Sequence, residues 1–140
     1  MWLNVNDSND LQEGDIIELN TEYPLVLHYA VVVDEDGERK VAHYPYPQTP
    51  RIEDLDYVLN NRPDSTIRRI MRTGIDSEYI IQNHNEIKDK IKNDYFNWLL
   101  KYNCENYIKD VTGAPIDGTD QRITAILVLL VIILIIVAVK

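Results

Sequence analysis

The sequence predicts an α+β domain with an antiparallel sheet, followed by a C-terminal transmembrane helix. Short β-branched and aromatic runs separated by turn residues fill the first half. Helical spacing with capping signals marks the second half, and the chain closes on an uninterrupted apolar run. Strands first and helices after is the order of an α+β domain. At 140 residues the chain suffices for one compact domain. The composition divides it into residues 1–118, the domain, and 119–140, the anchor.

DIIEL (Asp15 to Leu19) follows Gly14 as a short strand, and HYAVVV (His28 to Val33) is β-branched and aromatic enough for a buried one. Asp34 to Glu38 forms a tight turn in which Gly37 supplies the unusual dihedral, so RKVAHY (Arg39 to Tyr44) returns antiparallel. Pro45, Pro47, Pro50 and Pro63 then forbid long regular elements and leave an extended loop with room for one short helix. STIRRIM (Ser65 to Met71) reads as another strand, ended by Gly74.

Asp76 or Ser77 caps a helix running to about Asp94, with apolar residues at Tyr79, Ile80, Ile87 and Ile91 and with Lys88, Lys90 and Lys92 in its last turns. A further helix starts near Asn103 and stops at Gly113-Ala114-Pro115, where glycine suits the C-terminal cap and proline prevents continuation.

Ile123 to Val139 has Thr124 as its only polar member and is flanked by Arg122 and Lys140. As a helix it extends about 25 Å, at the short end of what crosses a hydrocarbon core of about 30 Å. The N-terminal residues show no basic region followed by an apolar stretch, so no secretory signal is expected. A single span made last implies a tail anchor: a single-pass protein of an intracellular membrane, with its domain facing the cytosol.

The formal net charge of −9 sets the domain against nucleic acid phosphates, so nucleic acid is not an expected partner. Cys104 is the only cysteine, which excludes an intramolecular disulfide and points to a reducing compartment. It lies in KYNCENYIKDVTG, at the predicted helix start, where the helix dipole and unpaired N–H groups lower a thiol's pKa and favour the thiolate. A lone cysteine there is, taken alone, more often a small core residue.

His28 opens the most apolar strand and is either a core histidine or a base aimed at a site. His43 ends the next strand. A hairpin closing around Gly37 makes His28 and His43 near cross-strand neighbours, with the turn centred near positions 35 and 36. Two histidines at one sheet edge with a cysteine elsewhere match the nucleophile, base and orienter that thiol chemistry requires. His84 sits among Gln82, Asn83, Asn85 and Glu86 and reads as part of a solvated helix face. One Cys and two His without short spacings make a poor zinc site, and no metal or cofactor is expected.

The ordered segments EGDIIEL, LHYAVVV, KVAHYPYP, NCENY and VTGAP resemble the lecithin:retinol acyltransferase-like family, including its small phospholipase A/acyltransferase members. The likeness runs from about Gly14 to Pro115, and from Tyr46 to Leu100 it is one of layout only. The resemblance implies a permuted papain-like (NlpC-like) fold, with Cys104 as nucleophile, His28 as general base and His43 as the residue that orients it. It also implies a membrane phospholipid as substrate, cleaved or transferred through a thioester. Asn106 and Tyr107 stand where the family's motif has His and Phe. The alternatives are an NlpC-type cysteine peptidase or amidase, and a catalytically silent membrane adaptor with the same fold.

Overall fold

In the computed structural model, residues 2–3, 10–21, 27–45, 47–60, 67–100, 102–116 and 119–140 are described, with side chains other than those of 96, 99–100 and 119–125. In chain order the elements are β1 (Trp2–Leu3), β2 (Ile16–Asn20), β3 (Leu27–Glu35), β4 (Glu38–His43), β5 (Arg51–Asp54), α1 (Leu55–Asn60), β6 (Ile67–Met71), α2 (Ser77–Ile87), α3 (Tyr95–Leu100), α4 (Cys104–Thr112) and α5 (Thr119–Val139). The strands form one sheet in the order β1-β6-β2-β3-β4-β5, and every described pairing is antiparallel. The α+β expectation therefore holds.

The hairpin between β3 and β4 turns at Asp36 and Gly37, whose φ values of 54° and 78° are the two positive dihedrals of a type I′ turn. Its register pairs Ala30 with His43 and Glu35 with Glu38. The turn centre thus lies beyond the positions the sequence suggests. The shift moves each partner by two residues, and because side chains alternate with period two, every residue keeps its face.

The sheet is covered on both sides, which is why β3 is buried from Leu27 to Val33. On one face Leu27, Tyr29, Val31 and Val33 meet Ile80 of α2 and Tyr107, Ile108 and Val111 of α4. On the other, Ala30, Val32, Val41, Ile17 and Leu19 meet Leu55 and Val58 of α1, together with Leu11. Each fully buried Ile or Leu contributes about 1.5–3 kcal/mol, so the two α4 and α1 contacts hold the sheet from opposite sides.

Several elements differ from the sequence reading. β5 and α1 occupy the segment read mainly as loop: no proline falls between Pro50 and Pro63, and Arg51–Asp54 adds an edge strand with Ile52 as its one apolar residue. The expected helix to Asp94 ends instead at Ile87, with the Lys88 N–H on the His84 carbonyl. Asp94 then starts α3, its carboxylate accepting the Asn97 N–H at 2.8 Å, because an Asp side chain caps a new helix more readily than it continues an old one. Ser65 and Thr66, the expected start of β6, lie outside the described residues, as does the domain boundary at 118.

The transmembrane helix is corrected. Among the described residues no helix is long and apolar enough to cross a membrane. α5 is helical over Thr119–Val139, but the side chains of Ile123 to Ala125 lie outside the described residues. The single-pass, tail-anchored placement with a cytosol-facing domain rested on that span and is corrected with it.

Candidate active site

α4 positions the cysteine. Asn103 has extended dihedrals and caps the helix, its side-chain oxygen accepting the N–H of Glu105 at 3.0 Å and of Asn106 at 3.4 Å. Asn106 reciprocates by accepting the Asn103 N–H at 3.0 Å, which completes a capping box. Gly113, at φ 72°, closes the other end. Cys104 is therefore the first residue of a helix fixed at both ends, and it is 1% exposed. Asn103 thereby occupies two of the first-turn N–H groups, those of Glu105 and Asn106.

The thiol donates to the Leu27 carbonyl at a sulfur–oxygen distance of 3.7 Å. The direction of that carbonyl follows from the ladder. Val32 exchanges hydrogen bonds with Gly14 and Asp15, on the β2 side, so alternate residues Val31, Tyr29 and Leu27 direct theirs toward β4. The pairing of β3 with β4 ends at Ala30 and His43. Cys104 thus sits at the end of the sheet where β4 parts from β3, on the residue that precedes His28.

His28 and His43 share the sheet face that carries Ala30 and Leu19 and are buried, at 6% and 2% exposure. His28 Nε2 lies 2.9 Å from His43 Nδ1, the rings meeting edge to face at a centroid separation of 5.1 Å. His43 Nε2 in turn lies 2.7 Å from Glu53 Oε2, and Arg51 Nη1 stands 3.9 Å from the other oxygen, Oε1. The structure thus joins the two expected histidines, brings Cys104 to the residue beside His28, and adds Glu53. Sequence reading missed Glu53 because it lay in the proline-rich segment. The alternation of Arg51, Ile52 and Glu53 next to a histidine-bearing strand was the available signal.

Beside the site, Glu18 is fully buried on β2. It accepts the Tyr29 hydroxyl at 2.8 Å and two hydrogen bonds from Arg69, each at 2.8 Å. Arg69 also stacks on Trp2, 4.2 Å from the ring centroid. Burial, with the adjacent Glu18 charge, holds the Tyr29 phenol well above its usual range. The network joins β1, β2, β3 and β6 behind Cys104.

His84 is the other correction. It is 5% exposed rather than solvated, and its Nδ1 lies 2.7 Å from the Tyr107 hydroxyl. Burial first, then the positive charge of Lys88, pushes its pKa below the ordinary histidine value. α2 and α4 pack together, so a helix face that looks polar in one dimension is half of an interhelical contact.

Among the described residues no group of three or more His, Cys, Asp or Glu side chains is arranged to hold a metal ion. No protein-family model matches the chain, and no curated protein matches it.

Proposed function

We propose that the protein is a thiol-dependent acyl hydrolase or acyltransferase acting on phospholipid esters, with Cys104 as nucleophile, His28 as general base and His43 as its orienting partner. The observation that carries the reading is the convergence at one end of β3. There a helix-start cysteine lies on Leu27, and the next residue, His28, is bonded to His43. The phospholipid substrate rests on the resemblance to the lecithin:retinol acyltransferase-like family.

In the reaction His28 takes the Cys104 proton, and the thiolate attacks the ester carbonyl. The tetrahedral intermediate collapses as the alcohol leaves with the proton from His28, giving an acyl thioester on Cys104. Water or an acceptor alcohol or amine then attacks the thioester, His28 receives its proton, and the thiolate is released.

The two positions that depart from the family motif have structural uses. Asn106 completes the capping box, and the Tyr107 hydroxyl is bonded to the buried His84. Their presence therefore does not favour the silent-adaptor reading. Incubation of the full chain with a phospholipid, followed by intact-protein mass spectrometry, tests the proposal. An acyl mass on wild type that is absent from Cys104→Ala is expected. Cleavage of amides but not esters would transfer the site to the peptidase reading, and no adduct with either substrate class would overturn the enzyme reading.

A further inference from the structure

The registers on either side of β4 bring a third residue into the histidine pair. His43 pairs across the ladders with Ala30 on one side and with Arg51 on the other, yet its ring bonds to His28 and Glu53, each displaced by two residues. Diagonal neighbours on one sheet face lie within reach of long side chains, and two such steps make a line of polar groups across three strands. We infer that Glu53 is a positioning residue that fixes the tautomers of the His28–His43 pair. The catalytic consequence of this rests on the function proposed above.

A carboxylate only accepts, so the 2.7 Å contact with Glu53 puts the His43 proton on Nε2. In the neutral ring Nδ1 then carries a lone pair and accepts, so His28 must donate to it from Nε2 across 2.9 Å. His28 is left with an unprotonated Nδ1, the nitrogen that serves as base. Without the carboxylate, His43 is equally served by a proton on Nδ1. It would then donate to His28 Nε2 and drive the His28 proton onto Nδ1, where no base remains.

Long-range proton–nitrogen imidazole spectra and iodoacetamide alkylation of Cys104, both on the full chain, test this. In wild type both histidines are expected to carry their protons on Nε2. In Glu53→Gln, whose amide also offers a donor, the Nε2–H form of His43 should decline and alkylation should slow about tenfold, with Glu53→Asp restoring much of the rate. His43 protonated on Nδ1 in wild type, or tautomers unchanged in Glu53→Gln, would overturn the inference. Ordinary thiol reactivity in wild type, with the tautomers still moving in Glu53→Gln, would retain Glu53 as the positioning residue and overturn the proposed function instead.

Discussion

His28 Nε2 and His43 Nδ1 lie 2.9 Å apart although the ladder sets Ala30, not His28, opposite His43. The contact is diagonal, so it depends on both side chains leaning along the sheet and not on backbone pairing alone. That dependence makes the two histidines unequal. His28 stands next to the residue whose carbonyl accepts the thiol, and His43 is bonded to His28.

Cys104→Ala should reduce ester turnover at least a thousandfold while leaving the melting temperature within a few degrees, since a small buried side chain replaces a small buried side chain. Cys104→Ser should be nearly as inactive, because a hydroxyl is far less acidic than a thiol. Turnover and thermal denaturation of the same preparations check both, and wild-type turnover in Cys104→Ala would end the thioester mechanism.

His28→Ala should lower kcat about a thousandfold, and His43→Gln about ten- to a hundredfold. An amide at position 43 still exchanges one hydrogen bond with His28, whereas an alanine at position 28 removes the base. Steady-state kinetics on the two variants decide the order, and the reverse order would exchange the two roles.

His84 predicts a pH dependence of stability. Its folded pKa is depressed by burial, so between that value and the unfolded value of about 6.5 the unfolded chain binds more protons. Stability is therefore full above about pH 6.5, falls as the pH drops below it, and stops falling below the depressed pKa. Urea denaturation from pH 7.5 to pH 5 should show this slope, and His84→Gln should flatten it. An equal slope in the variant would assign the effect to other groups.

Arg69→Met should destabilise the fold by about 3 kcal/mol, because Glu18 is fully buried and loses its two 2.8 Å bonds while Tyr29 and the longer 3.5 Å contact with Arg68 remain. Arg69 is itself 35% exposed, which places the loss at the low end for a buried pair. Adding Glu18→Gln should recover part of it, and denaturation midpoints of the singles and the double form the cycle. Strict additivity would mean that the pair is not coupled.

Gly14→Ala should cost more than about 1 kcal/mol. The residue has φ 85°, and a Cβ there would lie 2.6 Å from the Ile75 carbonyl oxygen and 2.7 Å from its nitrogen, neither of which is a flexible side chain. A melting temperature unchanged from wild type would show that this backbone crossing relaxes.

By itself the sequence determined the elements whose signals are local. The positive dihedral at Gly37, the buried β3 and the run from Asn103 to Gly113 follow from turn chemistry, β-branching and caps, and together they set Cys104 at a helix start and His28 and His43 on one face. Tertiary structure decided what depends on neighbours distant in the chain. Ile52 is too little apolar signal to mark β5 until β4 offers its edge, so Glu53 was invisible as a partner of His43. The polar neighbours of His84 in sequence concealed its burial because only α4 supplies Tyr107. The apolar run near the end of the chain is plain in composition, but crossing a membrane is a property of length in three dimensions, and no described helix has the length and apolarity together. Local conformational preference acts within a few residues, whereas burial, diagonal contacts and a site built from three strands and a helix exist only after the sheet has closed on both of its faces.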